Sequence, residues 1–490
     1  MRRSTVRSIF AVALLSSLAA LAGEPPKAAA PNLSLAITAP RPIDGEWMGV
    51  YLMDKKVGFY FTNVKFAAGK KDVVEATNEF VFIAQVGNNT SERVLKDVRT
   101  YEAKPKGKLL TFRVEQKGDG GDQILEGTAT PKGMKVVRKR PSMPDEVLEI
   151  PASKEVIEDA DQARVAIATG KTVVGMVTDG MDLEQYEVKT TLGPSETRLI
   201  GGVQAKLKKA ITISAKEKVP TEVYLDEQGR VLEVNFGATM KLRAEPEATA
   251  RKMDKIEEVF SLTRVVLPRP LPDNARQVPG EVKFVVNQLG PQFRKKTERQ
   301  TFKDLPDGRV EVTIASALPK GKKLKRPLAD PLGGENLKST LSVEAKHADV
   351  QALMKSIVGP ETDAWASAVK ISAWVGKNLI KDYGASSDRA TDVIRKRRGD
   401  CTEHSLLTVS LLRAAGIPAR RVDGVVYLMN DDKVPALYWH EWVEAWVGEW
   451  MQLDPTFGQD IADATHFAVG EEGNAEITPL IGSLKVLEVR

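Results

Sequence analysis

From Gly45 to about Gly237, apolar and polar residues alternate with period two in short runs broken by glycine and charged turns. "WMGVYLMDKKVGFYFTNVKF" alternates on both sides of Asp54-Lys55-Lys56, and "TEVYLDEQGRVLEVNFG" does so around Glu227-Gln228-Gly229. "KLLTFRVEQKGDGGDQILEGTATPKGMKVVRK" carries two turns marked by glycine. Such alternation between turn residues predicts antiparallel hairpins. Two stretches lose the alternation and read as helices, "SKEVIEDADQARVAIA" and "EATARKMDKIEEVFSL". The first is acidic near its start, as a helix N-terminus prefers. No short-period repeat is present, which argues against a solenoid. Residues 44–270 therefore read as a β-rich module with no visible chemistry.

"LPRPLPDNARQVPGE" is a proline-rich break. The strands "VKFVVNQL" and "GRVEVTIASAL" and the basic Pro/Gly stretch "LPKGKKLKRPLADPLGGEN" then predict a small β unit with a solvated linker over 271–336. From "HADVQALMKSIVG" the period changes to that of helices. In "ETDAWASAVKISAWVGKNLI" Trp365, Val369, Ile371, Ser372 and Val375 fall near one face, so Trp365 and Trp374 read as core. A helix over Thr402–Ala415 is closed by Gly416, with Pro418 beyond it. "ARRVDGVVYL", "WHEWVEAWV" and "EWMQLD" follow as strands. Helices feeding an antiparallel sheet predict an α+β domain over 337–490.

The first residues change the picture of where this chain works. "MRRSTVR" is basic, "SIFAVALLSSLAALA" is a short apolar run, and Ala20-Leu21-Ala22 closes it with small residues. That is the layout of a signal peptide over 1–22, cut before Gly23, with a flexible tether over 23–43. The expectation is a periplasmic or secreted protein. Its apolar run falls short of the ~20 residues of a bilayer span, and no later segment approaches that length. Charge adds little: 71 basic and 66 acidic residues leave a net +5, and nothing there points to nucleic acid. There is one cysteine, Cys401, so no disulfide can form within the chain.

An exported protein with one unpaired thiol raises the question of a nucleophile. Such a thiol needs a base, a group that orients the base, and donors for an oxyanion. Gly399-Asp400-Cys401 sits where a turn becomes a helix, placing the sulfur beside free N–H groups and the positive helix end, with the Cys401 N–H as first oxyanion donor. The helix alone is insufficient. Lowering a thiol from ~8.5 by the ~4 units of histidine-paired thiols takes about 5.5 kcal/mol, whereas a helix terminus supplies at most ~2 kcal/mol. The rest requires a cation, and imidazolium is the usual one.

Of the four histidines, His347 reads as a surface residue and His466, in "ATHF", as a strand residue of the final sheet. His404 is three residues past Cys401 on the same helix and suits a structural hydrogen bond. His440 is the stronger candidate base. It begins a strand whose partner ends at Asp454-Pro455, and the 14-residue spacing around a turn near Gly448 puts both side chains on one sheet face. Asp454 then accepts from one imidazole nitrogen while the other faces Cys401. Zinc held by Cys401, His404, His440 and Asp454 is the competing use of these residues, but no second pair with finger-like spacing exists. Trp439, Trp442, Trp446 and Trp450 read either as cross-strand packing or as the wall of a groove.

"RRGDCTEHSLLTVSLLRAAGIPARRVDGVVYL", "WHEWVEAWV" and "WMQLDPTFGQ" together resemble the transglutaminase-like superfamily, whose core is similar to papain-like cysteine peptidases. The resemblance runs from about Leu341 to Arg490. It implies Cys401 as nucleophile, His440 as general base and acid, and Asp454 as the residue orienting His440. It also implies attack on amide carbonyls through a thioester, by a peptidase, amidase or transamidase, on a protein or peptide substrate that in an exported protein includes cell-envelope components. It supplies no cofactor, and no acidic loop here matches the calcium dependence of animal members. The alternative reading is a non-catalytic envelope scaffold that binds through its β-rich region.

Overall fold

The computed structural model describes residues 33–490, apart from 470–479 and short stretches at 87–88, 119–120, 142, 182, 201–202, 217–218, 238, 322, 341, 384–386 and 388. The expected signal peptide and the tether up to residue 32 lie outside the described residues. Within them, 33–85 and 90–257 form one compact unit, and 258–490 form the other.

The first unit is a long antiparallel sheet. From Glu46–Leu52, successive hairpins run outward strand by strand to Glu146–Ile150. On its other side Glu46–Leu52 pairs with Met240–Ala244, and the sheet continues through Val231–Phe236, Thr221–Leu225, Val203–Ser214 and Gln185–Leu192 to Val173–Thr178. The period-two pattern explains this. From Gln123 to Gly127 buried and half-buried residues alternate, and Leu109, Phe112, Val114, Leu125, Met134 and Val136 share one core. Of the two expected helices, the first forms as a helical turn over Ile157–Asp161 running into Gln162–Thr169. The second breaks into two short pieces, Glu247–Ala250 and Val259–Thr263. The expected tether also differs. Ser34 caps a turn of helix at Leu35–Thr38, Ala36 is fully buried, and Arg41 Nη2 donates to Asp161 at 3.1 Å. Burial of small apolar residues and a paired arginine order a stretch whose composition suggested flexibility.

In the second unit a five-stranded antiparallel sheet lies between two layers. Pro435–Trp446 pairs with Ala419–Met429, Val265–Val266 and Trp450–Leu453, and His466–Ala468 joins the far side of Ala419–Met429. One core packs Val443, Ala445 and Leu453 of this sheet against helices Ala348–Val358, Ala364–Asn378, Ala390–Lys396 and Cys401–Ala414. Among these, Cys401–Ala414 is central, buried from Glu403 to Arg413. The opposite core packs Val425, Tyr427, Leu437 and Phe467 against Phe284, Val286, Val312 and Ile314. These last belong to the strands read as a small β unit, which take the chain's final strand, Val486–Val489, as an edge. Their apolar faces have nothing to cover them locally, so they cover the main sheet. The basic linker is likewise tied down: the Arg326 guanidinium donates to Glu361 O at 2.8 Å, and Leu328 N donates to Gly416 O at 2.8 Å.

No helix among the described residues is long and apolar enough to cross a membrane.

Candidate active site

The approach to Cys401 is set by the backbone. Helix Ala390–Lys396 ends on Arg397 in the left-handed region, φ 53°, with its guanidinium 4.7 Å from the Trp374 ring centroid. Arg398–Gly399 then pairs in parallel with Ile380–Lys381, and Asp400 caps the Cys401 helix. The cap uses most of the donors of the first turn. Asp400 accepts from the N–H of Thr402 at 2.7 Å and from that of Glu403, while Glu403 Oε2 accepts from Asp400 N at 2.9 Å. Among the described residues, the amide of Cys401 donates to none.

Cys401 is half-buried, and desolvation pushes its thiol well up. The charges of Asp400, Glu441 and Glu403 push the same way, while a hydrogen bond from the Glu441 backbone opposes them. That bond ties the sulfur to the residue next to His440, and Ser405 Oγ donates to Glu441 O at 3.2 Å one turn along. The phenol of Tyr383 is also pushed up, by burial and then by the charges of Cys401 and Asp400.

The hairpin brings His440 and Asp454 together. His440 Nε2 lies 2.8 Å from Asp454 Oδ2, which leaves Nδ1 as the nitrogen not engaged by that carboxylate. His440 stacks on Phe457, with ring centroids 4.7 Å apart, and lies nearly parallel to Trp442 at 6.1 Å. Asp454 is fully buried, and its Oδ1 accepts from Thr456 N at 2.8 Å and Phe457 N at 3.0 Å. Burial raises its pKa, but His440 and His466 outweigh that and hold it well below the usual carboxylate range. Two glycines make the close packing possible. A methyl group at Gly376 would collide with the Pro455 carbonyl, and one at Gly424, opposite His440, with Phe467 O and the Trp442 ring.

The other histidines separate clearly. His347 caps helix Ala348–Val358 through Asp349 N at 3.2 Å, at the surface. His404 Nδ1 lies 2.7 Å from Asp400 O, the structural hydrogen bond its position predicts. His466 is the residue that the sequence reading left out of the site. It is a strand residue, fully buried, and its Nε2 lies 3.0 Å from the same Asp454 Oδ2 that binds His440. The signal was Asp463 three residues before it, which brackets the imidazole from the other side. Among the four hairpin tryptophans, Trp442 is wholly buried, with Nε1 donating to Gln452 Oε1 at 2.9 Å, and Trp446 packs on Trp450 across the strands. Trp439 is half-buried and donates to Thr263 O at 2.9 Å.

Donor atoms of His440, Asp454 and His466 lie within 4.8 Å of one another, a set that a divalent metal could use. The separations of 2.8 and 3.0 Å are also those of ordinary N–H···O bonds. Cys401 and His404, the pair with zinc-like spacing, lie outside it.

Known proteins match parts of the chain. An uncharacterized protein of Mycobacterium leprae is 33% identical over 122 residues, which is 24% of this chain and 43% of that protein, so the chain spans less than half of that relative. Among solved structures, one described as a "putative cysteine protease" from Cytophaga hutchinsonii is 18% identical at a TM-score of 0.28, covering 44% of this chain and 85% of its own. A β-barrel-like protein of unknown function from Brucella abortus is 10% identical at a TM-score of 0.30, covering 41% of this chain and 97% of its own. Residues 351–455, which hold Cys401, His440 and Asp454, match the model of the Transglutaminase-like superfamily, so this region of the chain is transglutaminase-like.

Proposed function

We propose that the C-terminal region is an α+β, papain-like thiol enzyme that acts on amide carbonyls, in a protein exported to the periplasm or beyond. The observation that supports this most is the His440–Asp454 hydrogen bond of 2.8 Å, which orients the imidazole on the strand that also contacts Cys401 through Glu441. In this reading Cys401 Sγ gives its proton to His440 Nδ1 and attacks the carbonyl carbon, and the oxyanion takes a hydrogen bond from the Cys401 N–H. The C–N bond breaks, the amine leaves with the proton from His440, and a thioester remains. Water or a primary amine then attacks the thioester, His440 takes its proton and returns it to sulfur, and the acyl group leaves as acid or new amide. One set of residues serves both acceptors, and the substrate is a protein or peptide, including those of the cell envelope.

Burial and the charges of Asp400, Glu441 and Glu403 push the thiol up, against the lowering an activated nucleophile needs, so in this scheme the His440 imidazolium has to outweigh them. Iodoacetamide alkylation of Cys401, followed across pH in the full chain, tests it. The expected profile has a limb below the ~8.5 of a free thiol that His440→Ala removes. A single rise near ~8.5 or above, unchanged in His440→Ala, would leave the scaffold reading in place of the enzyme. Export has its own test. Mass spectrometry of the protein recovered from cells should show a chain beginning at Gly23 or a close neighbour, and an intact Met1 would refute the cleavage.

A further inference from the structure

A fully buried imidazole beside Asp454 takes no part in the steps above. His466 Nε2 lies 3.0 Å from Asp454 Oδ2, and its Nδ1 lies 3.2 Å from both Asp463 Oδ1 and Asp463 O. A carboxylate and a carbonyl have no proton to give, so each ring nitrogen must carry one. Asp463 is itself held in place, accepting from Thr465 N at 2.9 Å, Thr465 Oγ1 at 2.6 Å, Gln459 Nε2 at 2.8 Å and Arg276 Nη1 at 3.1 Å. The edge of Trp442 closes the remaining side at 5.1 Å between centroids.

We infer that His466 is a positioning residue: an imidazolium clamped between Asp454 and Asp463, it fixes the carboxylate that orients His440 and keeps a positive charge 6.0 Å from the His440 ring. This rests on the reading of Cys401, His440 and Asp454 as the reacting machinery. Two consequences follow. Asp454 cannot turn away, because His466 holds Oδ2 and the amides of Thr456 and Phe457 hold Oδ1. The charges facing His466 are Asp454, Asp463 and, through Asp463, Arg276 on its carboxylate and Arg299 on its carbonyl. His440 therefore shares its carboxylate with a resident cation, which eases release of its proton to a leaving amine. The pKa direction agrees: burial lowers the His466 imidazole, but Asp454 and Asp463 outweigh it and the net is upward.

The test uses the full chain with 15N-labelled histidine, whose four rings give a sparse spectrum, assigned by single substitution of His347, His404 and His440. At pH 8, above the ordinary histidine range of ~6.5, the His466 ring should carry protons on both nitrogens. A neutral ring, or an Nε2 that gains its proton only when a chelator is added, would overturn the inference. The second arm is His466→Gln, which keeps a neutral donor toward Asp454 and loses the charge. With folding checked by circular dichroism, the alkylation limb that His440→Ala removes should move to higher pH. An unmoved limb in folded His466→Gln also overturns the inference, whereas a wild-type profile with no His440-dependent limb overturns the enzyme reading instead. If His466→Gln does not fold, the ring protonation of the wild type decides.

Discussion

Replacing Asp454 with alanine is expected to remove both turnover and much of the stability of the C-terminal unit. The carboxylate is fully buried and takes four hydrogen bonds, from His440 and His466 on Oδ2 and from the amides of Thr456 and Phe457 on Oδ1. Alanine leaves two backbone donors orphaned and a buried imidazole without one of its two anions, a loss of about 3–5 kcal/mol. Asp454→Asn separates the two effects. Its Oδ1 can still accept from the amides, but its nitrogen cannot accept from two imidazoles. Stability should fall less than in alanine, while the rate of amide cleavage falls about 10²–10⁴-fold, the range for losing a correctly oriented acid–base group. Denaturation followed by tryptophan fluorescence reads the first effect, because six of the seven tryptophans lie beyond residue 360. Alkylation of Cys401 at fixed pH reads the second before any substrate is known. An Asp454→Asn protein that alkylates like wild type would remove Asp454 from the mechanism.

The two residues of that hairpin were legible because the information is local. His440 and Asp454 lie 14 positions apart around one turn, and strand parity with the register Val443↔Leu453 puts them on one face. The change from turn to helix at Gly399-Asp400-Cys401 is local in the same way, and the structure closes it with a capping box of Asp400 and Glu403. What stayed hidden depends on contacts between residues distant in the chain. His466 joins Asp454 only because Ala419–Met429 seats His466–Ala468 on its far edge, a pairing that no local pattern announces. The final strand, Val486–Val489, was read with the last domain, yet it pairs with Gly280–Val286, about 200 residues upstream. Gln300 shows the same limit, since its side chain bridges Lys295 O and Ala468 O, at 2.9 and 2.8 Å. Short strands with one apolar face reveal that they need cover but not what supplies it.

The same distance effect produces the second large prediction. Glu444 is buried on the His440 strand, and its Oε2 accepts from Arg420 Nε at 2.7 Å and Lys295 Nζ at 3.1 Å, while Oε1 accepts from Gln452 Nε2 at 2.7 Å. Gln452 in turn accepts from Trp442 Nε1, and that indole packs on both His440 and His466. Burial alone would raise the Glu444 carboxyl, but Lys295 and Arg420 bring it down to about 2. Glu444→Ala strands two cations in the interior and should cost about 3–5 kcal/mol. For a unit of this size the melting temperature then drops by roughly 10 °C. The pH dependence gives the sharper test. A carboxyl near 2 in the fold and ~4.3 in the unfolded chain contributes stability that is fully present above ~4.3 and is lost as pH falls toward 2. The wild type should therefore lose across that window a stability that Glu444→Ala no longer has, and the two curves should converge as pH approaches 2. Curves that stay parallel from pH 7 downward would mean that the ion cluster does not hold the strand carrying His440.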